Sequence, residues 1–281
     1  MSPNVKIFIL NWNGGDTLIR CLESVSNIEY DNFEIIVIDN ASTDNSISNI
    51  HSKFLNIKII ALESNYGYSR GYNRAFELIG YSEDSFFMLL NNDTTVDKNI
   101  LNSFLDAHKE IGSRECILGP KIYYMNTNLI WYAGAQVDLE AGIIKHIGIR
   151  QRESQKGVSL EDTGYITGCC IFTHNSNIKR LNGFDEIFNM YCEDVDLSLR
   201  ALKSKIRCIY VPEAILWHEV SSSFNSEFSM SKMLLKLSSS WKLIDKHISS
   251  WKRFSGFFLL LFKNLISGLK LLLYSFYNRM N

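Results

Sequence analysis

The chain has 281 residues, 46% of them hydrophobic and 12% aromatic, with 3 prolines and 16 glycines, which excludes a disordered, collagenous or low-complexity protein and fits one main domain. Its formal charge of −1 would by itself exclude a nucleic-acid binder and a membrane-surface protein. The average hides a split: from Lys232 to Arg279 nine basic residues face one acid, Asp245, so this stretch carries +8 and residues 1–231 carry −9, an acidic body with a basic interaction tail.

Taken in order, the apolar run 5–10 (VKIFIL) ends at NWNGG and is followed by a helical pattern with Leu18, Cys21, Leu22 and Val25 on one face. A second run, EIIVIDN at 34–40, stops at the polar turn ASTDNS; a third, IKIIAL at 57–62, stops at ESNYGYSRG, after which Ala75, Leu78 and Ile79 predict a helix. The fourth, SFFMLLNND at 85–93, ends in acid and amide side chains. Strand, polar loop and helix in repetition predict an α/β fold with a mostly parallel sheet, in which ligands bind at the carboxyl ends of the strands. Every polar cluster named above lies at such an end. From about 115 to 175 come less regular strand-like pieces (ILGPKIYY, LIWYAGAQVD, YITGCCIFTH); a helix opens near Glu193, and a last strand, IRCIYVP, leads to Trp217 and His218. A Ser-rich connector then separates a body over 1–223 from a C-terminal region, 224–281, that reads as two helices. The cysteines, at 21, 116, 169, 170, 192 and 208, show no CxxC or metal-knuckle spacing, and the N-terminus has no signal-peptide layout. Both features predict a reducing, cytoplasmic setting with the cysteines as small buried hydrophobes.

The loops after the first three strands carry Asn13, Asp39, Ser42, Asp44, Asn65 and Arg70, which together suit a nucleotide: carboxylate and guanidinium for base and ribose, turns for backbone donors. Ordinary turn and N-cap chemistry favours the same residue types. No GxxxxGK[ST] and no helix-opening GxGxxG is present, so a bound diphosphate would need another neutralising partner, for which a divalent cation with oxygen ligands is the natural choice. Asp93 in LLNNDTT can supply one ligand, the alternative being a cap on the next helix; His218 is a second candidate, the alternative being a hydrogen-bonded structural histidine. Glu193, Asp194 and Asp196 begin a helix, where the dipole alone favours acids, yet a carboxylate there would also serve as general base for a hydroxyl. Glu193 and Asp194 lie about 100° apart on that helix, so one of them faces the reacting centre.

Seven strings in register, NWNGGDTLIRCLESV, EIIVIDNASTDNS, NYGYSRGYNRAF, LLNNDTTVD, YITGCCIF, GFDEIFNMYCEDVDLSLRA and YVPEAILWHEVSSS, resemble the family-2 glycosyltransferases of GT-A fold, and more closely their bacterial rhamnosyltransferase-like branch. The resemblance implies a metal-dependent hexosyltransferase that moves a sugar, L-rhamnose in that branch, from a nucleoside diphosphate to a hydroxyl of a growing, lipid-linked cell-surface glycan, with inversion. It makes Asp39 the contact to the base, with Asn13, Ser42 and Arg70 completing the pocket. Asn91, Asn92 and Gly168 join the donor-binding set, and Asp93 becomes the ligand of a Mg or Mn ion on the diphosphate. His218 aligns with a histidine that completes the metal site in some members, and Asp194, beside Glu193, resembles the catalytic base. One departure stands out: the family's DxD motif reads NND here, with Asn91 in place of its first acid, so the site has one negative charge fewer and should hold its cation more weakly. The rival readings are a sugar nucleotidyltransferase, whose Gly-rich, Arg- and Lys-bearing loop is missing, and a catalytically silent nucleotide-sugar-binding or scaffold subunit, against which the Glu193-Asp194 pair argues.

In the tail, thirteen Leu, Ile or Phe residues between Phe257 and Tyr277 are nearly offset on the insertion scale by Lys263 and Lys270. On a helical wheel Lys263, Ser267, Lys270 and Tyr274 share one stripe, which predicts a helix lying on the inner face of an anionic membrane. Packing on the catalytic domain, or a homodimer contact, is the alternative. No nucleic-acid partner is expected.

Overall fold

The computed structural model describes residues 2–81, 84–152, 159–220, 230–263 and 265. Its first half alternates as the apolar runs require: β1 (Asn4–Asn11), α1 (Gly15–Ser26), β2 (Phe33–Asp39), α2 (Ser46–Lys53), β3 (Ile57–Ala61), α3 (Gly67–Ile79) and β4 (Ser85–Asn91). There follow β5 (Thr94–Val96), α4 (Ile100–Ile111), β6 (Cys116–Tyr124), β7 (Ile130–Tyr132), β8 (Ala135–Asp138), β9 (Ile143–His146), β10 (Glu161–Asp162) and β11 (Cys170–His174). The chain closes with α5 (Asn175–Arg180), α6 (Glu193–Lys203), β12 (Arg207–His218) and α7 (Met230–His247), and a further helix covers 252–263.

The main sheet runs β10-β12-β6-β11-β4-β1-β2-β3, with β5 added to β12 and β7 to β6, and β8–β9 forms a separate hairpin. The expected parallel pairing holds for β3-β2-β1-β4 and again for β6 with β12. Between them β11 lies antiparallel to both β4 and β6, so the sheet is mixed. The reason is topological: after β6 the short strands stay at the carboxyl edge, and without a crossover β11 can only run back. Strand β12, reached through α5 and α6, runs antiparallel to β11 and parallel to β6. Apolar side chains from alternate positions form two cores, one on each face: Ile7, Ile9, Met88 and Phe172 share one, Phe8, Ile36, Leu89 and Ile171 the other.

Several local expectations change. The polar turn after β2 is followed by α2, a helix the short polar sequence SISNIHSK concealed because it buries little beyond Ile50. Helix α3 buries Tyr72, Ala75 and Phe76 and leaves Leu78 exposed, since position 78 lies about 200° round the helix from Phe76. LIWYAGAQVD is split into β7 and β8 at Ala133-Gly134, and the last strand continues through His218 after a register shift between Val211 and Ile215. The second C-terminal helix begins at 252, ahead of Phe257. Its expected continuation, with Ser267, Lys270 and Tyr274, lies outside the described residues, as do 153–158 of the 140–160 loop. All six cysteines are free thiols, five of them buried.

Candidate active site

The carboxyl edge of the sheet gathers the candidate residues. Asn11 ends β1, Asp39 ends β2, Asn91 ends β4 and His218 ends β12, while Glu193 and Asp194 open α6. Asn91 N–H donates to the Cys169 carbonyl at 3.0 Å, which sets Gly168 beside the NND string.

The expected nucleotide loops are held largely by one another. Asp39 Oδ1 accepts the Ser42 N–H at 3.1 Å, and Ser42 Oγ accepts both the Asn11 amide and the Asn13 N–H at 3.0 Å. Asn13 Oδ1 accepts the Thr43 N–H at 2.7 Å, so this oxygen shapes the loop. Asp44 accepts the Gly15 N–H at 3.0 Å, and Asn65 pairs with Asn40 at 2.9 Å. Arg70, expected to help complete the pocket, binds Glu186 Oε2 through Nε at 2.8 Å, because α3 turns this position toward the segment leading to α6. Sequence reasoning passed over Asn11. It is fully buried, and its side chain joins Ser42 to Asn92, whose Nδ2 donates to Asn11 Oδ1 at 2.9 Å. A lone Asn closing an apolar strand was the available signal: a buried amide needs partners, and only loops at neighbouring strand ends can supply them.

Asp93 and His218 meet. His218 pairs with Thr94 across β12 and β5, and the Glu219 N–H donates to the Asp93 carbonyl at 2.8 Å. His218 Nε2 stands 3.1 Å from Asp93 Oδ1, yet neither Asp93 Oδ1 nor His218 Nδ1 makes a hydrogen bond. Two ligands each about 2.1 Å from one cation at right angles would be about 3.0 Å apart, so this pair fits a shared ion. Among the described residues no group of three or more His, Cys, Asp or Glu could hold a metal. Two protein ligands leave the rest of a divalent ion's shell to substrate phosphates and water, and the imidazole is a softer ligand than the all-oxygen set that Mg prefers. The alternative role for Asp93 is overturned: β5 intervenes, and Asn99, held by Asp97 Oδ1 at 2.8 Å, precedes α4.

The two carboxyl groups that open α6 have different surroundings. Asp194 Oδ2 accepts the Gly168 N–H and Oδ1 accepts the Val195 N–H, each at 2.8 Å. Burial raises this carboxyl above the ordinary aspartate range despite those two donors. Glu193 is buried with Oε2 unpartnered, and burial together with the Asp194 charge pushes it up to about 8. Gly168, expected to contact the donor, spends its N–H on Asp194, and its carbonyl accepts Tyr68 Oη at 2.7 Å. A Cβ there would fall 3.0 Å from Tyr68 Oη, a tight approach that would require Tyr68 to give by a few tenths of an ångström. Asp196, the third acid, joins no site: it is fully buried among Arg200, Lys246 and His247 at 2.7–2.8 Å.

A sheet whose carboxyl edge carries base-side loops, an amide and carboxylate string and a buried carboxylate pair defines a GT-A-type glycosyltransferase fold. The chain belongs to glycosyl transferase family 2, whose family model matches residues 6–181. It is similar to the N-acetylglucosaminyl-diphospho-decaprenol L-rhamnosyltransferase of Mycobacterium tuberculosis, 24% identical over 270 residues, covering 90% of this chain and 88% of that protein. It is also similar to the rhamnosyltransferase WbbL of Escherichia coli, 24% identical over 234 residues, covering 80% and 87%. Among solved structures, GalNAc-T7 with UDP, GalNAc and Mn2+ superposes with a TM-score of 0.64 at 16% identity, over 77% of this chain and 43% of that one. The mannosyltransferase PcManGT from Pyrobaculum calidifontis, with GDP-Man and Mn2+, superposes with a TM-score of 0.62 at 13% identity, over 92% and 68%. At these identities the two structures bear on the fold alone.

Proposed function

We propose that this glycosyltransferase inverts configuration, using Asp194 as general base on an acceptor hydroxyl, and that its donor is a nucleoside diphosphate sugar, with L-rhamnose the sugar favoured by the names of its relatives. The observation that carries the reading is the Asp194 carboxylate, fixed by the Gly168 and Val195 N–H groups beside the strand that ends in Asn91-Asn92-Asp93. Burial raises its affinity for a proton above that of an ordinary aspartate, which makes it a stronger base. The hydroxyl oxygen attacks the anomeric carbon from the face opposite the diphosphate, its proton passes to Asp194, and the bond to the diphosphate oxygen breaks with its electron pair. Burial and the neighbouring Asp194 charge favour a proton on Glu193, so the pair together holds a proton more tightly than two free acids would.

Asp93 and His218 would hold a divalent cation, Mg or Mn, which when bound neutralises charge on the leaving diphosphate. Asp39 and the Ser42 loop line the base end, with Arg70 at the margin. The relatives' names favour a lipid-linked glycan as acceptor, and with it a peripheral position on the inner face of the membrane through the basic C-terminal region. A transfer assay with dTDP-, UDP- and GDP-sugars, with and without Mn, tests the reading. Asp194→Asn should keep donor binding, read by thermal shift, and lose about 10²–10⁴-fold in transfer. Near-normal turnover by that variant removes Asp194 as the base, and donor binding without transfer by the native chain favours the silent-subunit alternative.

A further inference from the structure

The helix over 252–263 has two opposed faces. One is seated on the hairpin turn between β8 and β9: Gly256 lies so close that a Cβ would fall 2.3 Å from the Leu139 carbonyl oxygen, and Leu260 is buried. Lys252 Nζ binds Glu140 Oε2 at 2.7 Å and Lys263 Nζ donates to the Ala141 carbonyl at 2.6 Å, while Phe257 meets Trp241 of α7 edge to face at 5.1 Å. The other face carries Trp251, Phe254, Phe258, Phe262 and Leu265, which are 74%, 58%, 68%, 52% and 63% exposed. At 100° per residue these five fall within an arc of about 80°, directed away from Gly256 and Leu260.

We propose that this aromatic ridge is a membrane-docking surface that inserts into the headgroup and acyl boundary of an anionic bilayer. Soluble proteins rarely leave so continuous a row of large apolar side chains in water, and Trp and Phe are favoured at the bilayer interface. Charge selects the occupant. The ridge belongs to a stretch whose sequence carries +8 on a body carrying −9; within it Lys252 and Arg253, about half exposed, are each paired with an acid, Glu140 and Asp245. Anionic lipid attracts this face and repels the rest, which orients the molecule. A second copy docked through the same ridge would set two +8 segments against each other across a two-fold axis, where like charges repel. No helix among the described residues is long and apolar enough to cross a membrane.

The surface connects to the active site. The hairpin under the helix carries His146 at its far end, Trp131 packs against His146 at 4.6 Å, and the same indole meets His218 at 4.6 Å. A lipid-anchored acceptor in that bilayer would thus reach the Asp93–His218 edge of the sheet, a purpose that rests on the proposed reading of the acceptor as lipid-linked.

The test is co-sedimentation of the full chain with vesicles of phosphatidylcholine alone and of an equimolar phosphatidylcholine–phosphatidylglycerol mixture. We expect binding to the anionic vesicles and about tenfold or more weaker binding of the Phe258→Ser/Phe262→Ser variant, whose thermal melt and donor binding stay native because both side chains are exposed. A chain that remains in the supernatant, or a variant that binds as well as the native chain, overturns the proposal. So does a native dimer in light scattering that the variant converts to monomer, which would assign the ridge to self-association. Vesicle binding is read without turnover, so failure of the transfer assay counts against the catalytic reading alone.

Discussion

Glu193 and Asp194 are adjacent in sequence and differ because of what each touches. Asp194 receives two backbone N–H groups, whereas Glu193 Oε2 receives none, and an unsatisfied buried oxygen is tolerated far better on a neutral acid than on a carboxylate. The linkage follows: the native state holds on Glu193 a proton that the unfolded chain releases near 4.5, so this residue's contribution to stability is full below that value and is lost as pH rises toward 8. Its slope is up to about 1.4 kcal/mol per pH unit. Glu193→Gln, which mimics the neutral acid, should flatten the fall in melting temperature between pH 5 and pH 8; equal slopes for variant and native chain would contradict the assignment. At the cation pair, His218→Ala leaves Asp93 alone. The Mn concentration for half-maximal transfer should rise about tenfold or more, and an unchanged titration would make His218 a structural residue.

At the scale of elements, α6 is governed from outside. Its first turn carries Glu193 and the proposed base Asp194, and the segment before it is tied to α7 by Ser239 Oγ to the Met190 carbonyl at 2.8 Å and Lys242 Nζ to the Ile187 carbonyl at 3.0 Å. Asp196 anchors the same helix. Burial by itself would raise its carboxyl, but hydrogen bonds from His247, Lys246 and Arg200 outweigh that and hold it at about 2. The stability it lends is present above the ordinary aspartate value and is lost as pH falls through about 2. Removing this acceptor leaves the buried His247 ring without its carboxylate partner and Lys246 with Asp185 alone. Asp196→Ala should therefore destabilise the fold by about 3–5 kcal/mol, measured by denaturant unfolding. A change within about 0.5 kcal/mol would mean that α7 docks without it.

For the whole molecule, α7 matters as much as any sheet strand. Leu243, Ile244 and Ile248 are buried in the same core as Ile9 and Phe172, and each contributes about 1.5–3 kcal/mol by leaving water. A chain cut at the Ser-rich connector, after residue 223, should lose soluble yield and melt well below a chain ending at 263. Equal melting temperatures would show that the body stands without α7.

The parallel half of the fold was legible because a strand buried on both faces must read as an apolar run, and EIIVID and SFFMLL do. Asp93 stood out because an acid at the end of such a run has few structural reasons to be there, and Glu193 and Asp194 because three acids crowd the start of one helix. Other features had no local signature. Tyr68 reaches Gly168 a hundred positions away, Arg70 turns to Glu186, and β11 reverses direction because its chain stays at one edge of the sheet. The sequence by itself determined the alternation of strands and helices, the family and the chemical groups at the strand ends, all of which follow from local periodicity and residue type. Only the tertiary structure decided which oxygen is free, which carboxyl keeps its proton and which face of the last helix is left open, because burial and hydrogen-bond supply depend on segments that meet only when the chain is folded.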